Sequence, residues 1–439
     1  MKRFLDFIKQ SFNSLKAILN PREWTITIVT VILSTTIATS VFWLDKDDPN
    51  AQMPFESIGY SLKVKTETGV NQLPFHTYYQ LFYEKVNSVD ERASARQIFE
   101  QMVPPLHKVS DRSNRYLLDD DDPSLGRITT IRDVNESLGS GQWIEVPEPL
   151  YELLQIGKQL TIATDSNFNM FIGKPADYWK DLIEDDAFSY DYELLDPYFN
   201  ASERAYLETI MSYVPITEDE VEATLELKIE AERYYAKLNS FNGALVGNME
   251  LTMGGLAKGY ANDVISATLA EQELVRGFIN GGQSSISTLG NRYGNIAWPL
   301  TMASPLYGTS SSFTISRPGR FSVSTSGGYE GKPIMIDEQV VWRHHIIDPW
   351  TGYPSSESLL VNVMSQDLSS ATLDALSTAL MNLTIEEGMA LRDAFIANGQ
   401  ELEIAWVEIT ATSKLNISYS RGFDPFMQRN PENIYNIID

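Results

Sequence analysis

Arg343 to Pro354 reads Arg-His-His-Ile-Ile-Asp-Pro-Trp-Thr-Gly-Tyr-Pro and holds two of the four histidines in the chain. Imidazole is the side chain best suited to moving protons near neutral pH. His345 is the candidate general base, with Asp348 placed to orient it or to meet a substrate. Shortly before it, Ser324-Thr325-Ser326-Gly327-Gly328-Tyr329 is a hydroxyl-rich turn. Such turns bind phosphate or metal-bound water, and Ser326 is the hydroxyl singled out. Asp374 and Thr378 are four residues apart on a predicted helix, so they share a face. One carboxylate and one hydroxyl, with carbonyls or waters, make a hard-oxygen site for Mg²⁺. Gly254-Gly255-Leu256-Ala257-Lys258 opens another predicted helix. Glycines there let backbone N–H groups approach an anion, and Lys258 adds charge one turn in. Gly281-Gly282 ends a strand-like run where a backbone or a flat ligand can come close. Each feature alone has a plain structural alternative: glycines turn chains, and an Asp/Thr pair is ordinary helix surface.

These residues need elements to hold them. Patterning predicts a first strand over His76 to Glu84 and a helix over Ala93 to Lys108, kinked or broken at Pro104-Pro105. A helix over Pro149 to Thr164 and a buried segment over Phe168 to Ile172 follow. Residues 180–233 form a charged, aromatic excursion with one helix near Glu218 to Leu225. Beyond it come a helix over Gly254 to Leu274, strands around 277–302, 309–325 and 359–364, and helices over Ala371 to Leu383 and Ile385 to Ala397. Leu402 to Thr410 and Leu415 to Ser420 form a hairpin, and Ile346 and Ile347 end a strand-like run. Without regular βαβ alternation the class is α+β, a mixed sheet flanked by helices.

A formal charge of −25 disfavours nucleic acid as a partner. The absence of cysteine excludes disulfides and thiolate chemistry. Trp24 to Leu44 carries no charge. At ~1.5 Å per residue it reaches ~30 Å, one hydrocarbon core. Lys2, Arg3, Lys9, Lys16 and Arg22 precede it, and Asp45, Asp47 and Asp48 follow. The positive-inside rule makes residues 1–23 cytoplasmic, 24–44 a single membrane anchor, and the rest extracytoplasmic. Residues 45–65 are expected as a stalk, 66–430 as the folded domain and 431–439 as a tail.

Taken together, the motifs resemble the ApbE family, the FAD:protein FMN transferases. Thr325 to Tyr329 and His345 to Pro354 match its C-terminal signatures; Gly254 to Ala261, Ile279 to Gly290 and Asp374 to Leu380 match three others, in family order. Ile131 to Asn135 and Thr164 to Trp179 resemble its flavin-side segments. The resemblance implies an ApbE-like fold, FAD as substrate, Mg²⁺, and a target protein with an acceptor threonine. It also implies Asp374, Thr378 and a carbonyl near Gly255 as metal ligands, and His345 at the proton-transfer step. FAD would lie against Gly254, Lys258, Ser326 and the Asn167-Phe168-Asn169 segment, with Tyr116 as the flavin-stacking ring. His344 is expected to be structural. Two departures stand out: Thr252 occupies the position of an acidic FAD contact, with Glu250 two residues back, and Gly328 stands where the family has Asp. They keep open two alternatives, a flavin-binding protein without transferase chemistry and a metal-dependent FAD pyrophosphatase.

Overall fold

The computed structural model describes residues 55–58, 63–84, 89–119, 122–305, 311–328, 331–410 and 414–439. The expected anchor over 24–44 and Tyr329 lie outside them. Among the described residues no helix is long and apolar enough to cross a membrane.

Nine strands form one sheet: β1 (Phe55–Ile58), β2 (Tyr79–Glu84), β3 (Gly277–Gly281), β4 (Ser285–Thr288), β5 (Ser322–Gly327), β6 (Leu360–Ser365), β7 (Glu403–Ile409), β8 (Leu415–Ser420) and β9 (Ile434–Ile438). Their order in space is their order in the chain. Neighbours are antiparallel except β8 and β9, which run parallel. The main helices are α1 (Val89–Ser110), α2 (Glu148–Ala163), α3 (Gly173–Glu184), α4 (Phe188–Leu195), α5 (Ala201–Met211), α6 (Ala257–Glu271), α7 (Ser370–Met381) and α8 (Ile385–Ala397).

The sheet is covered on both faces. Leu360, Met364, Ala405 and Val407 pack against Trp298, Leu300, Phe313 and Ile315 of a small three-stranded sheet. On the other face Val361, Val363, Ile404 and Trp406 pack against Leu373, Leu376 and Leu380 of α7. Double coverage explains why β6 is buried along its whole length, where a half-exposed strand would alternate.

The main departures from expectation have local causes. The α1 helix runs straight through Pro104 and Pro105. Its Phe99, Val103, Leu106 and Val109 are buried in the core, and that packing outweighs the hydrogen bonds the prolines remove. The first strand starts at Tyr79, because 74–76 form a turn. Part of the expected stalk is β1, paired with β2. The expected tail contains β9, which hydrogen-bonds along β8. The strand before His344 stops at Arg343, leaving Ile346 and Ile347 in the following loop.

Helices α6 and α7 cross at Gly259. A Cβ there would stand 2.2 Å from the Ser370 carbonyl oxygen and 2.8 Å from the Ala371 Cα. Only glycine permits this approach. Asp263, one turn further along α6, accepts from the Ser370 and Ala371 N–H groups at 2.8 Å each and so caps the start of α7. Gly259→Ala should cost about 1–3 kcal/mol, at the upper end because the obstacle is backbone. Thermal and denaturant unfolding would show it, and wild-type stability would disprove so tight a crossing.

Candidate functional site

The crossing gathers the predicted residues at one end of the sheet. A cleft of about 730 Å³ is lined by Thr252, Gly254, Gly255 and Lys258 before and on α6, the Gly282–Ser284 turn after β3, and Thr325, Ser326 and Gly327 of β5. Asp374 and Thr378 of α7 line it too, as do His344 to Ile347 and the Asn167–Asn169 segment. Its size suits a dinucleotide-scale ligand.

Asp374 is 2% exposed and accepts from the Gly259 N–H at 3.2 Å. Burial raises its pKa, opposed by the nearby charge of Lys258. Beside it, Ser326 Oγ lies 2.7 Å from Ser377 Oγ and 3.2 Å from Thr378 Oγ1. Gly255 backs onto the same hydroxyls: a Cβ there would be 2.8 Å from Thr378 Oγ1. A buried carboxylate, the Ser326 and Thr378 hydroxyls and a backbone free of side chain fit a hard, oxygen-seeking cation such as Mg²⁺. Among the described residues no group of three or more His, Cys, Asp or Glu side chains could hold a metal ion, so such a site rests on one carboxylate. Lys258 Nζ donates to the Gly254 carbonyl at 3.0 Å and sits where an anion entering the cleft would meet it.

The two histidines divide their roles. His344 is buried, its Nε2 2.9 Å from the Ser355 carbonyl and its Nδ1 accepting from the Ile346 N–H at 3.2 Å. A side chain at 328 would collide with its ring, at 2.2 Å, which gives Gly328 a steric reason. His345 instead opens to the cleft, yet the surrounding protein desolvates it. Desolvation, then Lys258 and Lys180, lower its pKa and leave the ring neutral and able to accept a proton.

Other expected residues take different parts. Asp348 does not orient His345: its oxygens accept from the Trp350 N–H at 2.9 Å and the Thr351 hydroxyl at 2.7 Å, closing its own turn. Tyr116 is fully buried, with its hydroxyl donating to Asp111 and lying 3.0 Å from His107 Nε2, so it cannot stack on a ligand. Asn169 spends both ends of its amide on the Pro215 carbonyl (2.9 Å) and the Phe171 N–H (2.8 Å), bracing the loop. Phe168 packs beside Gly255, and the Asn167 carbonyl accepts from Asn382 at 2.9 Å. Thr252 Oγ1 accepts from the Gly254 N–H at 3.3 Å. Glu250 is held by Arg112 at 2.8 Å, and the same guanidinium binds Asp177. Arg112, Asp177 and Lys180 were not foreseen; only their company across 60 or more residues reveals them.

The 173–211 helices are part of this site. Asp196, fully buried, accepts from Arg343 Nε at 2.7 Å, and the guanidinium lies 5.3 Å from the ring centres of both Trp179 and Tyr353. Trp179 Nε1 donates to the Gly352 carbonyl at 2.7 Å. The excursion is thereby fastened to the histidine loop.

A sequential meander with its cleft at the helix crossing places the protein in a class of mixed α+β folds that includes solved flavin transferases. The ApbE protein of Thermotoga maritima superposes with a TM-score of 0.56 over 82% of this chain and 98% of that one, at 19% identity. The flavin transferase ApbE of Vibrio cholerae superposes equally well, over 85% and 100%, also at 19%. The chain belongs to the ApbE family, whose model matches residues 118–400. A Klebsiella pneumoniae protein named FAD:protein FMN transferase is 29% identical over 261 residues, 59% of this chain and 70% of its own length. A Vibrio cholerae protein of that name is 31% identical over 150 residues, covering 34% and 43%.

Two buried histidines set an acid dependence. Burial lowers His107 to about 4 and His344 to about 3, from 6.5. Well above pH 6.5 both are neutral in folded and unfolded chains, and no stability is lost. Below it the unfolded chain takes up protons that the folded one excludes, so stability falls until the folded pKa values are reached. Unfolding free energy should therefore drop steadily from pH 6.5 to about 4, and His107→Gln should flatten that slope. An unchanged slope in the variant would show that His107 is not held neutral.

Proposed function

We propose that this protein transfers FMN from FAD to a threonine of an acceptor protein, with Mg²⁺, and releases AMP. The convergence of Asp374, the Ser326 and Thr378 hydroxyls, Lys258 and His345 on one cleft supports the reading. Asp374, Thr378 and the Gly255 carbonyl would hold the cation. When bound, it neutralises the pyrophosphate and stabilises charge on the phosphoryl oxygens. Lys258 holds a phosphate oxygen in an otherwise acidic protein. His345 takes the proton from the acceptor hydroxyl as its oxygen bonds to the FMN phosphorus. The bond from that phosphorus to the bridging oxygen breaks, and AMP leaves with that oxygen. The family relatives' shared name supports FAD as donor and a protein as acceptor. The uncharged 24–44 stretch, with basic residues before it, supports a membrane-anchored domain outside the cytoplasm.

Incubation with FAD, Mg²⁺ and a threonine-bearing acceptor domain should yield covalently flavinylated acceptor and one AMP per label. FAD binding without label on any acceptor would refute transfer. Asp374→Ala should lower Mg²⁺-dependent activity roughly 100-fold or more. It should fold normally, because it removes a carboxylate whose burial is itself unfavourable. Full activity at ordinary Mg²⁺ would remove Asp374 from the metal site. The acid limb of kcat/KM should lie below pH 6.5, since His345 acts when neutral and its pKa is lowered. Lys180→Gln should move that limb upward; a limb that stays fixed would exclude Lys180 from the electrostatics of His345.

A further inference from the structure

One wall of the cleft has a feature that the reaction as described leaves unused. Phe75 and His76, consecutive and neither of them glycine, hold left-handed backbone angles with φ of +51° and +56°. Both line the cleft. L side chains crowd their own backbone in this region, and a bulky aromatic is an outlier there. Strain of this kind persists only where the surroundings impose it, and it gathers at functional sites.

The surroundings here are built for it. The Phe75 N–H donates to His107 Nδ1 at 3.0 Å. That bond fixes the neutral ring with its proton on Nε2, which faces the Tyr116 hydroxyl at 3.0 Å. Tyr116 donates to Asp111, whose Oδ2 also accepts from Gln72 Nε2 at 2.9 Å and Asn114 Nδ2 at 2.9 Å. His107, Asp111 and Tyr116 are all buried. A buried polar network joined from several segments is costly unless fully bonded, and this one ends on the backbone of the strained turn. The network thus positions the turn.

The ring so positioned meets His107 edge-on, at 5.8 Å between ring centres, and lines the cleft. The His76 side chain is 61% exposed, and its Nε2 lies 4.0 Å from Asp111 Oδ1. Among the described residues it makes no hydrogen bond. Beside it, Gly282 donates to the Tyr78 carbonyl at 3.2 Å, which sets the 282–284 turn against the 76–78 backbone. Gln283 in that turn is also left-handed, at φ +65°, exposed and lining the cleft. Two strained non-glycine residues from separate turns therefore present side chains to the same wall.

We infer that His76, assisted by Gln283, contacts the adenylate half of the dinucleotide and helps to set specificity for it. This rests on the proposed reading of the cleft as an FAD site. With the Asn167–Phe168 wall and His345 on the FMN side, as the family resemblance implies, the 75–77 and 282–284 wall is left for the leaving half. An imidazole beside a carboxylate donates to a phosphate oxygen or a purine ring nitrogen, and a primary amide can both donate and accept. The network of His107, Asp111 and Tyr116 acts through the turn and is a positioning element.

The test uses a substitution that the backbone favours. His76→Gly removes the ring at an angle where glycine is unstrained, so its Tm should equal or exceed that of the wild type. AMP binding, measured by calorimetry without acceptor, should weaken about tenfold, and FMN binding should not change. KM for FAD should rise with little change in kcat. Gln283→Gly should show the same pattern more weakly. Equal AMP affinity in His76→Gly and wild type, or equal losses for AMP and FMN, would overturn the inference. So would a wild type that binds no AMP. A wild type that binds FAD and AMP with this selectivity but never labels an acceptor would refute transfer alone and leave the contact standing.

Discussion

The site depends on how closely two helices can approach. At Gly259 the α6 backbone lies against the first turn of α7, with room for a hydrogen atom and nothing more. That closeness lets the Gly259 N–H reach the Asp374 carboxylate, puts Gly255 against Thr378 and brings Lys258 near the same charge. A buried carboxylate is unfavourable without compensation. The crossing leaves Asp374 with one backbone partner and one nearby cation, on the wall of the cleft.

A second constraint acts from the opposite wall. The Asp196–Arg343 pair is buried and stacked between Trp179 and Tyr353. Breaking one partner of such a pair strands a charge, so its effect is to fix arrangement more than to add net stability. It holds the α3–α5 segment on the loop that carries His345, and α3 in turn lends Asp177 and Lys180 to the cleft. A stretch that looks like a variable addition in the chain is structurally a side of the site.

What could be read in advance was local. Lys258 at a helix start, Asp374 and Thr378 on one helical face, and His345 after a strand are short-range patterns, and the fold keeps them together. The α+β class and most elements follow from the same periodicities. Tyr116 was misjudged because its burial depends on Gln72 and His107, which no nearby residue announces. Asp348 was misjudged because Asp beside a Pro and a Thr-Gly satisfies its own turn first. The role of the excursion from residue 180 was hidden because Asp196 and Arg343 are 147 residues apart. The prolines of α1 were overruled by core packing that a single helix cannot display.

The parallel strand β9 has a consequence for handling the molecule. It occupies the backbone edge of β8, and Arg421 and Asp439 clasp beside it at 2.5 and 2.7 Å. An uncovered outer strand is a template for adding another chain. Five residues, Ile434–Ile438, take that edge and leave a short strand at the margin of the sheet. A protein trimmed at residue 430 would keep its cleft and expose a sticky flank, so solubility would suffer before chemistry did.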